Sequence, residues 1–208
     1  MGYDGHMPLR LALLGDSIAF GQGAARHADT LASRLVAGLL DHGIDAAARV
    51  FAVPGARSTG LRPQVDRALS WEPHAAVLVI GANDLTHRVL PEQAARQLQT
   101  AVRRLRDRGS EVVVAPAPDL SIVPHVPAAV RGLVQAGSRL LREHQVRAVE
   151  AAGGRVADRD GRTSAAFAAD RSLFSGDSFH PSSSGYAVIA GALLPEVVAA
   201  VSGSGRQG

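Results

Sequence analysis

Short apolar runs alternate with longer helix-like segments along this chain, and the alternation restricts the possible folds more than any other feature. The apolar runs are rich in Val, Leu and Ala, which is typical of strands that are covered on both faces. They are Leu9–Leu14, Arg49–Val53, Ala76–Ile80, Val112–Ala115 and Arg155–Ala157. The segments with a helical spacing of apolar residues are Thr30–Asp41, Pro91–Arg108, Val126–Ala152 and Ser184–Val201. Strands that alternate with helices predict βαβ units, and hence a parallel sheet with helices on both faces.

The chain is long enough for one domain with a full apolar core. It has 208 residues, and a compact fold of this size buries roughly 70% of the surface that the unfolded chain exposes. It contains no internal repeat and no stretch that is typical of a linker. We therefore expect a single α/β/α domain over residues 8–201. Residues 1–7 are interpreted as a start extension or the remnant of an expression tag, and residues 202–208 as a flexible Gly- and Ser-rich tail.

The absence of Lys and Cys excludes several kinds of chemistry. All 22 basic residues are Arg, so the chain lacks the Lys of a phosphate-binding loop, of a pyridoxal-phosphate Schiff base and of a protein-kinase site. Without Cys, thiol catalysis and thiolate metal sites are excluded. A net charge of +3 and an aromatic content of 4% give no indication of a nucleic-acid partner.

The apolar runs also bear on location. None approaches the roughly 20 residues that a membrane helix needs, so we expect no membrane span. The first run, Leu9–Leu14, is too short for the core of a signal peptide. This favours a cytoplasmic location, and secretion is the alternative if a signal peptide has been removed. The sequence does not predict an oligomeric state.

Ligands of open parallel sheets bind beyond the carboxyl ends of the strands, so the residues that follow each predicted strand are the candidates for function. Gly15, Asp16 and Ser17 follow the first strand. A strand-to-helix turn at this point exposes a nucleophilic hydroxyl beside backbone N–H groups. The alternative is that Asp16 or Ser17 only caps the next helix.

Two further strand ends carry potential hydrogen-bond donors. Gly55 lies in a Pro-Gly turn after the second strand, where its N–H can point into the cleft, although such a turn can also be purely local. Asn83, the sole Asn of the chain, follows the third strand. Its amide donates hydrogen bonds without titrating, and a local turn preference is again the alternative.

Asp177 and His180 lie three residues apart near the carboxyl end of the chain. On a loop or short turn, this spacing lets the carboxylate reach one imidazole nitrogen and leaves the other nitrogen free. Such an arrangement fixes the tautomer and stabilises the imidazolium that forms when the ring takes a proton from a hydroxyl. The same spacing can also be purely structural.

Together, these four segments resemble the SGNH/GDSL hydrolase family of serine esterases. The resemblance extends from Gly15 to about Pro195 and rests on four blocks in the family's order. These are Gly-Asp-Ser at 15–17, Gly55, Gly-x-Asn-Asp at 81–84 and Asp-x-x-His-Pro at 177–181. The resemblance implies a flavodoxin-like three-layer α/β/α sandwich whose five parallel strands have the order 2-1-3-4-5.

The resemblance also implies roles for individual residues. Ser17 is expected to be the nucleophile, His180 the general base and then acid, and Asp177 the residue that orients the ring. The oxyanion hole is expected to consist of the backbone N–H groups of Ser17 and Gly55 and the side-chain amide of Asn83. No cofactor and no metal are expected.

Four other polar residues lie beside these blocks. Asp16 and Asp84 are expected to hold their loops through hydrogen bonds to neighbouring N–H groups. Arg57 follows the Gly55 turn and is a candidate contact for an anionic substrate, while His87 is a candidate pocket residue. Solvated loop positions are the alternative for Arg57 and His87.

Pocket walls are expected from three loops, namely Gly21–Asp29, Asp84–Pro91 and Ala117–Pro127. The third loop contains the apolar residues Leu120, Ile122, Val123 and Val126. These side chains either accept an acyl chain or pack inside the protein.

The expected function is hydrolysis of small-molecule carboxylic esters with small or medium acyl groups through an acyl-serine intermediate. An acyltransferase that passes the acyl group to a sugar or alcohol is the first alternative. The second is a non-catalytic flavodoxin-like binding module. Against this module, none of the catalytic blocks has been lost.

Overall fold

A five-stranded parallel sheet forms the centre of the protein, in a computed structural model that describes residues 7–204. The strands have the order β2-β1-β3-β4-β5, and every neighbouring pair is parallel. Their bounds are β1 Leu9–Gly15, β2 Ala46–Val50, β3 Ala75–Val79, β4 Glu111–Ala115 and β5 Arg155–Val156. The predicted parallel sheet and its strand order are thereby confirmed.

Helices cover both faces of the sheet. They are α1 Ser17–Phe20, α2 Leu31–Asp41, α3 Leu61–Leu69, α4 Ala82–Thr86, α5 Pro91–Arg106, α6 Arg131–Ala151, α7 Arg162–Ala169 and α8 Ser183–Ser204. Successive residues of a strand point to opposite faces. Accordingly, Leu11 and Leu13 of β1 share a core with α2 and α8, whereas Ala12 and Leu14 share a second core with α3 and α5. The predicted three-layer architecture is therefore present.

Strand β2 lies three residues earlier than the predicted run Arg49–Val53. It is an edge strand, and most of its residues are exposed, so it lacks the continuous apolar signal of a covered strand. The apolar residues that follow it, Phe51 and Ala52, leave the regular ladder, and both of their N–H groups donate to the Leu13 carbonyl. The apolar run thus marks the end of the strand rather than its centre.

Several helix bounds also differ from the prediction. Helix α3 was missed because it is only nine residues long and alternates its apolar positions with polar ones. The predicted helix from Val126 begins instead at Arg131, after Pro127 and a 3₁₀ turn over Ala128–Val130. Helix α8 continues to Ser204, three residues beyond its predicted end. Most of the expected extension, residues 1–6, and residues 205–208 of the expected tail lie outside the described residues.

Helix α8 is the one helix in the described part of the chain that could cross a membrane by length and composition, over Ser183–Gly203. The sequence contained no apolar run of the length a membrane span needs, because Pro195 and Glu196 lie within this segment. In this fold α8 packs against α2 and β4. Its Leu193 and Val197 are at most 1% exposed, so one face of α8 belongs to the core.

Candidate active site

Ser17 lies at the carboxyl end of β1, as the first residue of α1. The turn that places it there requires glycine at position 15, whose φ is +131°. A Cβ atom on Gly15 would come within 1.8 Å of the Val79 carbonyl oxygen, because the chain passes directly against β3 at this point. The Ser17 residue is 7% exposed, so the turn holds its hydroxyl at the floor of a cleft.

Asp177 and His180 lie on the loop between α7 and α8, and hydrogen bonds within this loop hold its conformation. The Ser175 N–H donates to the His180 carbonyl at 2.7 Å. One oxygen of Asp177 accepts the N–H groups of Phe179 and His180, both at 2.9 Å, and the Ser175 hydroxyl at 2.8 Å. These bonds fix the direction of the carboxylate.

The structure brings the three residues into one hydrogen-bonded chain. Asp177 Oδ2 lies 2.6 Å from His180 Nδ1, and His180 Nε2 lies 3.1 Å from Ser17 Oγ. With Nδ1–H donating to the carboxylate, Nε2 is left to accept the Ser17 proton. The three residues are separated by up to 163 positions in sequence, and only the fold brings them together.

Asp177 carries the negative charge of this chain. Burial acts to raise the pKa of its carboxyl, but the hydrogen bonds from His180, Phe179 and Ser175 outweigh that effect and lower the pKa well below its usual range. The carboxylate is therefore ionised throughout the working pH range. It can stabilise a positive charge on the His180 ring.

Of the two other residues expected in the oxyanion hole, Asn83 lines the cavity beside Ser17, whereas Gly55 does not. Asn83, the second residue of α4, faces the same cavity as Ser17 and His180. One of its two amide N–H groups donates to the Ala56 carbonyl at 3.1 Å, so the other remains for a ligand. Gly55 lies in an exposed turn with φ +77°, and within residues 7–204 its N–H donates no hydrogen bond.

Asp84 links helix α4, which carries Asn83, to the segment that follows Gly55. It is fully buried, and its carboxylate accepts the Ser58 N–H at 3.0 Å and the Ser58 hydroxyl at 2.8 Å. Burial raises the pKa of Asp84, and the Ser58 hydrogen bonds oppose that shift. The contact ties α4, which carries Asn83, to the segment that follows Gly55.

Asp16 precedes Ser17 and caps α1, since its Oδ1 accepts the Ile18 N–H at 3.0 Å. It is only 1% exposed. Burial raises the pKa of Asp16 to about 7, the Ile18 hydrogen bond opposes the shift, and the nearby charge of Asp84 adds to it. Asp16 thus bonds to an N–H group of its own turn, whereas Asp84 bonds to Ser58 on a different segment rather than to its own loop.

Arg57 and His87 do not line the cavity beside Ser17. Arg57 is exposed. The His87 ring is also exposed, and its Nδ1 lies 2.8 Å from the Asn83 carbonyl. His87 therefore contacts the backbone of a site residue rather than the space where a substrate would lie.

Three polar residues near the site were missed by sequence reasoning. Gln64 of α3 is 1% exposed and makes two hydrogen bonds to the backbone of Gly15, at 2.7 and 2.9 Å. Gln145 of α6 is fully buried and joins the Ala117 N–H to the Ile80 carbonyl, at 2.7 and 3.0 Å. The signal for both was a glutamine within the apolar face of a helix. The third, His125, has no such signal, and its Nε2 lies 2.9 Å from the Asp177 carbonyl.

A cavity of about 90 Å³ extends from Ser17 and His180 into the protein. Of the three loops expected to form its walls, only Ala117–Pro127 contributes, through residues that include Leu120, Ile122 and Val123. The fourth apolar residue of that loop, Val126, packs against Leu120 and its neighbours instead. Further walls come from α7, α8 and the segment between them, which the sequence did not indicate.

Within the described residues, no group of three His, Asp or Glu side chains could hold a metal ion.

A curated protein is similar to most of this chain. The chain is 36% identical over 190 residues to a GDSL-like esterase of Mycobacterium tuberculosis, and the match covers 89% of this chain. The chain spans about 60% of the length of that relative.

Solved structures share the fold. A lipase/acylhydrolase from Enterococcus faecalis matches with a TM-score of 0.72 at 21% identity, over 93% of this chain and 96% of that one. The esterase EstA from Pseudoalteromonas sp. matches with a TM-score of 0.70 at 15% identity, over 94% and 97%. Residues 13–188 also match the model of the GDSL-like lipase/acylhydrolase family. The chain therefore belongs to the GDSL-like lipase/acylhydrolase family.

Proposed function

We propose that this chain is a serine esterase that cleaves carboxylic esters through an acyl-serine intermediate. The observation that carries the proposal is the hydrogen-bonded chain from Asp177 through His180 to Ser17, at 2.6 and 3.1 Å, at the mouth of an apolar cavity. The name of the curated relative, a GDSL-like esterase, supports it.

The first half of the reaction forms the acyl-enzyme. An unassisted serine hydroxyl is a poor nucleophile near pH 7, so His180 Nε2 takes the Ser17 proton as Oγ bonds to the ester carbonyl carbon. The carbonyl π electrons move to oxygen and give a tetrahedral oxyanion. The oxyanion then collapses, the bond to the leaving oxygen breaks, and the imidazolium of His180 gives its proton to the departing alcohol.

The second half releases the acid. Water attacks the acyl-serine while His180 takes its proton, and the second tetrahedral oxyanion returns the electron pair and expels Ser17 Oγ, which regains the proton from His180. During both halves the ionised Asp177 stabilises the imidazolium. The oxyanion is held by the N–H groups of Ser17 and Gly55 and by the Asn83 amide, and removing one such donor typically costs about 3–4 kcal/mol of activation free energy.

The test combines turnover with labelling. The purified protein should hydrolyse nitrophenyl acetate or butyrate, and a fluorophosphonate should attach to Ser17, as located by peptide mass spectrometry. The Ser17→Ala variant should lose both properties, whereas Ser202→Ala, an exposed serine outside the site, should keep them. Undiminished hydrolysis by Ser17→Ala would refute the proposal. Product analysis with an added alcohol distinguishes transfer from hydrolysis, and dominant transfer would favour the acyltransferase.

A further inference from the structure

The cavity that begins at Ser17 is mostly apolar, although Asp119, Arg142, Asp158, Thr163 and Ser164 also line it. It lies between the loop after β4 and the helices α7 and α8, and its walls include Leu120, Ile122, Val123, Phe167, Phe174 and Leu193. Its volume of about 90 Å³ is well below the roughly 300–1,000 Å³ of pockets that hold drug-sized ligands. A short acyl chain fits such a space, whereas a long acyl chain would have to extend beyond the cavity.

A second and larger space lies on the other side of one wall. This outer groove of about 730 Å³ runs over the surface between α6 and α7, past Gln135, Arg139 and Ala168. Four residues line both the catalytic cavity and the outer groove, namely Asp119, Ile122, Arg142 and Ser164. These four residues form the partition between the two spaces.

Three members of the partition are held by hydrogen bonds. Asp119 donates its N–H to the Ser164 hydroxyl at 3.1 Å, and its carboxylate accepts the Ser121 N–H at 2.9 Å. Arg142 donates to the carbonyl groups of Ala117 and Asp158. Displacing these groups would break polar contacts in a part-buried setting, which is costly.

Ile122 is the apolar member of the partition. It ends the 3₁₀ turn Leu120–Ile122, is half-buried, and fills the wall with a branched aliphatic side chain. Since Ile122 lines both the cavity and the outer groove, an acyl chain that extends from the cavity toward the groove meets its side chain. Removing the branched side chain would join the cavity to the groove without breaking any of the polar contacts.

We propose that Ile122 sets the acyl-chain length that this enzyme accepts, by closing the cavity against the outer groove. The inference rests on the proposed esterase function and adds its substrate class, which is esters of short acyl groups. In the Ile122→Ala variant the chain of a longer substrate would pass the partition and lie in the groove.

The test measures kcat/KM for nitrophenyl esters from acetyl to dodecanoyl. The native protein should show a maximum at short chains and a steep fall beyond them. Ile122→Ala should raise the ratio for decanoyl over butyryl ester roughly tenfold, the effect of burying about two further methylene groups. Leu120→Ala is the matched control, because Leu120 lies in the same turn and lines the cavity but not the groove.

The possible results separate the inference from the function. An unchanged chain profile in Ile122→Ala, or an equal shift in Leu120→Ala, would overturn the role of Ile122 while the esterase function stands. A native protein that already prefers esters of long acyl chains would also overturn the role of Ile122. A native protein that is inactive on every ester, with no label on Ser17, would instead refute the esterase function. Ile122→Val serves as a well-folded intermediate and should give a smaller shift in the same direction, and no shift would contradict the inference.

Discussion

At the scale of single residues, the buried carboxyl of Asp16 lowers the stability of the folded protein by an amount that depends on pH. Its pKa is raised from 3.8 to about 7 in the folded protein, chiefly by burial. The folded state therefore keeps a proton that the unfolded state has lost, so stability falls as the pH rises from about 4 to about 7. At alkaline pH, this shift lowers the free energy of unfolding by roughly 4 kcal/mol at most.

Replacing Asp16 with Asn should remove that cost. The Asn oxygen can still accept the Ile18 N–H, so the cap on α1 remains. The free energy of unfolding of Asp16→Asn, measured by denaturant titration, should exceed that of the native protein at pH 8 by more than it does at pH 4. The exposed Asp45 provides the control, since Asp45→Asn should change little. An equal effect of Asp16→Asn at both pH values would contradict the buried-carboxyl explanation.

Asn83 allows the proposed oxyanion hole to be tested separately from the proposed nucleophile, Ser17. Because its amide is expected to bind the transition state more strongly than the substrate, Asn83→Ala should lower kcat by roughly 100- to 1,000-fold and leave KM nearly unchanged. Gln97→Ala, which removes an exposed amide from α5, should have no effect. A rise in KM with unaltered kcat would show that Asn83 only binds substrate.

At the scale of elements, the loop after β4 supports the loop that carries Asp177. The contact is the hydrogen bond from His125 Nε2 to the Asp177 carbonyl, at 2.9 Å. This bond holds the backbone of Asp177 rather than its carboxylate, so its loss should loosen the loop without removing a catalytic group.

We expect His125→Ala to lower kcat roughly three- to tenfold and to slow labelling of Ser17 by a fluorophosphonate, because misplacing a catalytic group costs rate. Gln places an N–H donor at a similar distance, so His125→Gln should recover most of the activity. His42→Ala, a histidine at the end of α2, is the control. Failure of Gln to restore activity that Ala had removed would exclude a role for the hydrogen bond.

How far the sequence predicts the elements depends on which faces they bury. The covered strands β1, β3 and β4 have continuous apolar runs and were located to within one or two residues. Edge strand β2, in which only Ala46 is buried, was misplaced, and short α3, which buries one face, was missed. The sequence predicts five candidate site residues because each occupies a strand end or loop in a recognisable block. These residues are Ser17, Gly55, Asn83, Asp177 and His180. Gln64, Gln145 and His125 could not be predicted, since their partners are backbone groups far away in the chain.

At the scale of the whole molecule, the site depends on strands that separate at their carboxyl ends. β3 and β4 are paired up to Val79 and Ala115, and beyond this point the Gln145 side chain joins Ile80 to Ala117. Gly81 has φ +134°, and a Cβ atom there would lie 2.7 Å from the Ala117 side chain and 2.9 Å from the amide nitrogen of Gln145. Val79, Ala82, Ala115 and Pro116 at these strand ends line the cavity, so the Gln145 hydrogen bonds fix the spacing of two of its walls.

Replacing Gln145 with Leu keeps much of its volume but leaves the Ala117 N–H and the Ile80 carbonyl buried without partners. Each unsatisfied group costs about 1–3 kcal/mol, so Gln145→Leu should lower the free energy of unfolding by roughly 2–6 kcal/mol, a Tm decrease of about 4–24 °C for a domain of this size. The control is Gln93→Leu at an exposed position of α5, which should leave Tm nearly unchanged. Because α4 begins two residues after Ile80, the loss should also displace Asn83 and reduce kcat. A Tm as high as that of the native protein would show that the separated strand ends need no such link.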